Sequence, residues 1–137
     1  MAPSPNSAVL ILENEPVVLR STARMLRNEG YEVYEAASPQ EARTIVERTP
    51  RPISLLICDL ELDGLQGREA VIMLQAIRPE MRVLFMSGSD GAHFRVELER
   101  EHRYFLRKPF ARTRLLECVS FVLEGWQEPI DASKRSA

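Results

Sequence analysis

The sequence predicts an α/β fold in which helices cover both faces of a five-stranded parallel sheet. Two observations support this prediction: short apolar runs alternate with amphipathic segments, and most of the runs are continuously apolar. Strands that alternate with helices form parallel β-α-β units, whose right-handed crossovers place helices on both faces. We therefore expect a doubly wound (βα)5 sheet with the flavodoxin-like strand order 2-1-3-4-5.

Five apolar runs mark the predicted strands. The runs at 9–12, 53–58 and 83–86 are almost entirely apolar, as expected of strands covered on both faces. The run at 31–34 alternates polar and apolar residues, which is typical of a strand near a sheet edge. The fifth run is 104–106.

Start and stop signals mark the predicted helices. An amphipathic segment at 18–26 is followed by Gly30, which is typical of a helix C-terminus. The run 38–41 (SPQE) supplies an N-cap serine, a proline at the first helical position and a capping-box glutamate. The remaining helical segments are 68–77, 91–103 and 111–123, of which the second has no clear period.

Length and composition indicate one globular domain. The 137 residues are 45% hydrophobic and 28% charged, enough to form a core without disulfides. A net charge of −2 argues against nucleic acid or a membrane as a partner. No apolar stretch approaches the roughly 20 residues of a membrane helix, and no secretory signal is evident, so we expect a cytoplasmic protein. The predicted domain is 8–123, between tails at 1–7 and 124–137.

Polar residues follow four of the predicted strands at the point where each strand ends. Glu13 and Asn14 follow the first strand, and Asp59 follows the third. Ser87 follows the fourth strand, and Lys108 lies just after the fifth. Each residue alone is typical of a turn, a cap or a solvated charge. Because the carboxyl ends of parallel strands meet at one edge, their coincidence predicts a site there.

This set of side chains is suited to phosphoryl chemistry. Clustered carboxylates without nearby histidine or cysteine favour Mg²⁺ over Zn²⁺. A carboxylate beside such an ion can act as a nucleophile and form an aspartyl phosphate. The ion and an ammonium group offset charge on the phosphoryl oxygens, and a hydroxyl can bond one of those oxygens only after transfer.

Four segments together resemble the receiver family of two-component response regulators. They are 10–16 (LILENEP), 55–62 (LLICDLEL) with Gly67 following, 83–88 (VLFMSG) and 105–110 (FLRKPF). The resemblance covers nearly the whole predicted domain, and the four segments occur in the family's order and spacing.

The resemblance implies a role for each residue of the site. Asp59 is expected to be the phosphoacceptor, and Lys108 to contact the phosphoryl group. Ser87 is expected to move onto the phosphoryl group, and Phe105 to turn inward behind it. The family usually has a cis peptide bond after the lysine, so we predict cis at Lys108–Pro109.

The implied magnesium ligands include two departures from the family. Glu13 and Asn14 stand where receivers normally have two aspartates, and Asp59 and the backbone carbonyl of Glu61 complete the set. The neutral amide of Asn14 should weaken Mg²⁺ binding, because ligand charge tunes the affinity of such sites. As a hypothesis, the longer side chain of Glu13 reaches the ion and compensates. The resemblance also places Glu61 where receivers tune the lifetime of the phosphoryl group.

The predicted function is a receiver that takes a phosphoryl group from a sensor histidine kinase or a histidine phosphotransfer protein and then switches a partner-binding surface. It would be no enzyme beyond its own magnesium-dependent phosphorylation and dephosphorylation. The alternative is a degenerate receiver, an interaction module that works without phosphorylation.

A flavin or nucleotide binder is disfavoured because the loop 13–16 is acidic and contains proline. A haloacid-dehalogenase-like phosphatase is disfavoured because the sequence has no Asp-x-Asp.

Output is expected to pass to a separate effector protein. About 14 residues follow the last predicted helix, too few for an effector domain, unless the chain is a piece of a longer protein. The face around Phe105 is where receivers dock or dimerise, so a homodimer through this face is a further expectation.

Overall fold

The structure, a computed structural model, describes residues 8–62, 65–88 and 104–124. Seven strands and four helices lie within these residues. No helix among them is both long enough and apolar enough to span a bilayer. In chain order the elements are β1 (Ala8–Leu12), α1 (Pro16–Asn28), β2 (Val33–Ala36), α2 (Pro39–Arg48), β3 (Ile53–Asp59), β4 (Glu61–Leu62), β5 (Leu65–Gln66), α3 (Gly67–Ile77), β6 (Arg82–Ser87), β7 (Tyr104–Arg107) and α4 (Arg112–Glu124).

Five of the strands form a parallel sheet in the order β2-β1-β3-β6-β7. This arrangement confirms the predicted order 2-1-3-4-5, with β6 and β7 as the fourth and fifth strands. The short strands β4 and β5 pair antiparallel with each other beside the sheet. The register aligns Leu12 with Cys58, and Asp59 with Met86, so the first, third and fourth strands end at nearly the same level.

The continuous apolar runs are explained by two cores, one on each face of the sheet. Alternate strand residues such as Leu10, Leu56 and Phe85 face one core, which includes the inward sides of α2 and α3. Their neighbours, such as Ile11 and Ile57, face the other core, which includes α1 and α4. Both faces of the central strands are therefore buried, as the sequence pattern predicted.

The position predicted for β2 was wrong by two residues: the strand is Val33–Ala36 rather than 31–34. The backbone N–H groups of Gly30 and Tyr31 donate to carbonyls in the last turn of α1, at 3.0 and 3.1 Å. Gly30 has a φ of 99°, the left-handed conformation that favours glycine. Because these residues terminate the helix, β2 begins later. The helix predicted within 91–103, like the tails at 1–7 and 125–137, lies outside the described residues.

The predicted start of α2 is confirmed. The Ser38 side chain accepts a hydrogen bond from the Glu41 N–H at 3.2 Å, as an N-cap residue should. The Glu41 carboxylate in turn accepts from the Ala37 N–H at 2.9 Å. This reciprocal pair is a capping box shifted by one residue, since the glutamate reaches the residue before the N-cap.

One arginine side chain donates hydrogen bonds to three backbone carbonyls at the end of α2 and in the loop before β3, the strand that ends at Asp59. The Arg78 guanidinium donates to the carbonyls of Val46 at 3.0 Å and Arg51 at 2.9 Å, and also to that of Thr49. These carbonyls lie at the end of α2 and in the loop that follows, where the helix leaves them without intrahelical donors.

We expect Arg78→Ala to lower the free energy of unfolding by about 2–4 kcal/mol, because three carbonyls lose a charged donor at once. Urea denaturation of the parent and variant measures the difference. Arg43→Ala is the matched control: its exposed i,i+4 pair with Glu47 should contribute less than about 0.5 kcal/mol. Equal losses in the two variants would contradict the assigned role of Arg78.

Candidate functional site

The candidate site lies at the carboxyl edge of the sheet, where the strand ends bring four predicted residues together. Asp59 is the last residue of β3, and the following N–H, from Leu60, donates to the Met86 carbonyl at 2.8 Å. The Lys108 N–H donates to the Ser87 carbonyl at 2.8 Å, which continues the pairing of β6 and β7 beyond the strand. The Lys108–Pro109 peptide bond is cis, as predicted.

The Lys108 ammonium is shared by two buried carboxylates. Its Nζ lies 2.7 Å from Glu13 Oε1 and 3.1 Å from Asp59 Oδ2. The side chains of Glu13 and Asp59 are only 0% and 4% exposed, against 67% for Glu15, whose Oε1 lies 3.8 Å from the same Nζ. The buried group of two carboxylates and one ammonium therefore has a formal charge of −1.

Each buried carboxylate is also oriented by a backbone donor. The Glu61 N–H donates to Asp59 Oδ1 at 3.0 Å, and the Glu15 N–H donates to Glu13 Oε2 at 3.2 Å. One oxygen of each carboxylate thus contacts Lys108 and the other accepts from the backbone. This pattern satisfies the acceptors that burial would otherwise leave unpaired.

Burial and the excess of carboxylates over ammonium groups both affect the pKa values of Glu13 and Lys108. Burial raises the pKa of Glu13, the hydrogen bond from Lys108 opposes the rise, and the neighbouring Asp59 carboxylate adds to it. Burial alone would lower the pKa of Lys108, but the carboxylates of Glu13 and Asp59 outweigh it and raise that pKa. The charge of Asp59 therefore raises the pKa of both of its neighbours.

The Ser87 hydroxyl donates a hydrogen bond to the carboxylate of Glu61, a pairing that the sequence does not predict. Ser87 is buried, and its Oγ donates to Glu61 Oε1 at 2.9 Å. The sequence predicted only the backbone carbonyl of Glu61 as a metal ligand and a general effect on phosphoryl lifetime. The available signal was its position two residues beyond Asp59, but that spacing does not reveal which neighbouring strand end the side chain reaches.

Phe105 lies on β7, and β6 separates it from Asp59 on β3. It is aligned with Phe85 of β6, is partly buried, and packs against the core shared with α2 and α3. The inward movement expected of Phe105 stays a prediction.

Gly67 brings the backbone unusually close to Asp59. A Cβ placed on Gly67 would lie 2.1 Å from the Asp59 carbonyl oxygen and 2.8 Å from the Leu60 Cα. The Gly67 N–H also donates to the Leu60 carbonyl at 2.9 Å. Only a residue without a Cβ fits here, so the start of α3 packs directly against the chain that leaves β3.

The donor chemistry of the site suits a hard divalent cation. The buried group offers the carboxylate oxygens of Glu13 and Asp59 and has a negative net charge. The exposed Glu15 and Glu61 carry further carboxylates beside it. Within the described residues, no group of three or more acidic, histidine or cysteine side chains is arranged as a metal cage. Mg²⁺ does not require one, because it usually binds one or two carboxylates and keeps several waters.

Comparison with known sequences gives a consistent result. The family model of the response regulator receiver domain matches residues 9–120. The sensor kinase CckA of Brucella abortus (strain 2308) is 30% identical over 122 residues, which are 88% of this chain and 13% of the kinase. The transcriptional regulatory protein GlrR of Escherichia coli (strain K12) is 25% identical over 130 residues, 94% of this chain and 29% of that protein. The chain thus spans less than a third of the length of these curated relatives.

Solved structures with similar sequences share the fold. A CheY-like response regulator receiver domain protein from Methanospirillum hungatei JF-1 superposes with a TM-score of 0.76 at 26% identity, covering 89% of this chain and 96% of that one. The receiver domain of NtrX from Brucella abortus superposes with a TM-score of 0.74 at 28% identity, covering 86% and 99%.

We expect Gly67→Ala to destabilise the protein by about 1–3 kcal/mol or more, because the new methyl group would overlap the Asp59 carbonyl. Urea denaturation measures the loss. Gly88→Ala is the control, since the nearest atom to its new Cβ would be the Lys108 Cε at 3.4 Å, an ordinary contact. Equal stability of the Gly67 variant and the parent would contradict the close approach.

In metal-free protein, the Glu13 carboxyl should titrate above the ordinary range for glutamate, because burial and the Asp59 charge both oppose ionisation. With a raised folded-state pKa, the stabilisation from Glu13 is fully present below its unfolded pKa and is lost as pH rises through the folded value. Carbon-detected NMR titration measures this pKa. Asp59→Asn should lower it, and a parent midpoint below the ordinary range would show that Lys108 outweighs burial.

Proposed function

Because the chain belongs to the response regulator receiver domain family, we propose that Asp59 accepts a phosphoryl group from a histidine kinase or a histidine phosphotransfer protein. The observation that supports this most directly is the buried Asp59 carboxylate, which lies 3.1 Å from the Lys108 ammonium at the open edge of the sheet. Receiver domains are generally signalling domains rather than enzymes, and the curated relatives include a sensor kinase and transcriptional regulators.

In the proposed transfer, an oxygen of Asp59 attacks the phosphorus of a phosphohistidine. The P–N bond breaks as the new O–P bond forms, and the imidazole leaves with the electron pair of the broken bond and takes a proton from solvent. Lys108 is held beside Asp59 by Glu13, so its positive charge is already in position as charge develops on the phosphoryl oxygens. Hydrolysis by water later returns the Asp59 carboxylate and inorganic phosphate.

Receiver domains generally use Mg²⁺, and we propose that Glu13, Asn14, Asp59 and the backbone carbonyl of Glu61 hold it here. The bound ion would neutralise charge on the phosphoryl oxygens. Both oxygens of Glu13 already have partners, so a direct bond to the ion would require Glu13 to release Lys108 or the Glu15 N–H. The neutral Asn14 amide adds no charge, so we expect weaker Mg²⁺ binding than two aspartates would provide.

The proposed output is a change at the surface around Phe105, read by a separate effector protein. Ser87 would transfer its hydrogen bond to the phosphoryl group, and Phe105 would follow inward on the adjacent strand. Phe105 lines a cavity of about 430 Å³ between β7 and α4, together with Tyr104 and the half-exposed Phe121. This face, which combines aromatic side chains with the charged Arg114 and Glu117, is where a partner, or a second copy of the chain, would bind.

Intact mass spectrometry tests the proposed chemistry. After incubation with phosphoramidate and Mg²⁺, the parent should gain one phosphoryl group and Asp59→Ala should gain none. Glu80→Ala is the control for loss of an acid, because Glu80 is exposed before β6 at the opposite edge of the sheet, and it should behave as the parent does.

The alternative, an interaction module without phosphorylation, predicts a different result. The Lys108 ammonium lies closer to Glu13 than to Asp59. This ion pair between Lys108 and Glu13 is the observation that favours the alternative. If the folded parent gains no phosphoryl group across a wide range of Mg²⁺ concentrations, the alternative replaces the proposed function.

A further inference from the structure

We propose that the Glu61 carboxylate restrains the Ser87 hydroxyl in the unphosphorylated protein, so that Glu61 sets how completely phosphorylation of Asp59 switches the domain. This inference rests on the proposed function for the switching step. The restraint itself is a property of the protein before any phosphoryl group arrives, and it can be tested separately.

The contact that carries the inference joins two strand ends through side chains. Ser87, at the end of β6, donates its hydroxyl hydrogen to Glu61 Oε1 at 2.9 Å. The acceptor is a carboxylate, and hydrogen bonds to charged groups are roughly twice as strong as those between neutral groups. Ser87 is 1% exposed, so its hydroxyl is shielded from water while Glu61 is its acceptor.

Glu61 is placed to respond to the state of Asp59. Its own N–H donates to Asp59 Oδ1 at 3.0 Å, while its side chain holds Ser87. One residue thus contacts the proposed phosphoacceptor through its backbone and the proposed switch hydroxyl through its carboxylate. A change at Asp59 is thereby transmitted to the Glu61 backbone over a single hydrogen bond.

The Glu61 carboxylate and a phosphoryl group on Asp59 would compete for Ser87, because a serine hydroxyl has one hydrogen to donate. After transfer to Asp59, Ser87 can donate either to Glu61 or to a phosphoryl oxygen. The population of the switched state then depends on the free-energy difference between these two hydrogen bonds. Removing the Glu61 carboxylate removes the competitor and should favour the switched state, whereas a neutral amide should have an intermediate effect.

The competition predicts a specific coupling between two substitutions. If Glu61 acts by holding the hydroxyl, Glu61→Ala has no effect on switching when Ser87 is already alanine. If Glu61 acts only through its charge on Mg²⁺ or on the phosphoryl group, its effect persists in the Ser87→Ala background. A double-mutant cycle separates the two mechanisms.

The first measurement uses the full chain without phosphodonor or metal. The exchange rate of the Ser87 hydroxyl proton with water, followed by NMR at low temperature, should increase in Glu61→Ala by about tenfold, the effect expected for loss of one charge-assisted hydrogen bond. Glu61→Gln should lie between, and Glu80→Ala should match the parent. Unchanged exchange in Glu61→Ala overturns the proposal, whether or not the protein can be phosphorylated.

The second measurement follows the switch itself. The protein is saturated with beryllofluoride and Mg²⁺, which mimic the phosphoryl group, and amide shifts of residues 104–107 report the ratio of switched to unswitched protein. We expect this ratio to rise by about tenfold in Glu61→Ala, the equivalent of one charge-assisted hydrogen bond, and to be insensitive to Glu61 when Ser87 is alanine.

A ratio that is unchanged by Glu61→Ala, or that changes equally with and without Ser87, overturns the coupling. If the parent does not respond to beryllofluoride at all, the proposed function fails and the coupling fails with it. The exchange measurement then still decides whether Glu61 restrains Ser87.

Discussion

The Lys108 ammonium lies between the Glu13 and Asp59 carboxylates, 2.7 and 3.1 Å away, and the rest of the site depends on this arrangement. Without the Lys108 ammonium between them, the two buried carboxylates would repel each other strongly. The backbone donors from Glu15 and Glu61 satisfy their remaining oxygens, so the group is fully bonded although it has a negative net charge.

This arrangement in turn depends on the order of the strands. Glu13 and Lys108 are 95 residues apart in the chain, and they meet because β1 and β7 lie on the two sides of β3 and β6 in one parallel sheet. The apolar residues that alternate between the two cores hold the register of these strands. A shift of one residue would reverse the face to which each side chain of a strand points.

The residual negative charge links structure to the proposed chemistry. Burial raises the pKa of Glu13, and the neighbouring Asp59 charge adds to the rise. The same negative charge leaves the site in need of a further cation, which suits Mg²⁺. The departures from the family at Glu13 and Asn14 alter this balance without removing it, because Glu13 retains a carboxylate that reaches Lys108. Asn14 follows it in the chain and supplies only a neutral oxygen.

Much of the fold could be predicted from local patterns. Continuous apolar runs identify strands that are buried on both faces, and the run at 38–41 identifies the start of α2, because both effects arise from neighbouring residues. The start of β2 could not be predicted correctly, since residues 30 and 31 are needed to end α1 before the strand can form.

The sequence by itself determined which residues occupy the ends of the strands, and hence that Glu13, Asp59, Ser87 and Lys108 share one edge. Only the tertiary structure decided which of them bond to one another. Side chains at neighbouring strand ends have several partners within reach, and the choice depends on register, on loop geometry and on which acceptors are already satisfied. For this reason the pairing of Ser87 with Glu61 could not be read from the chain.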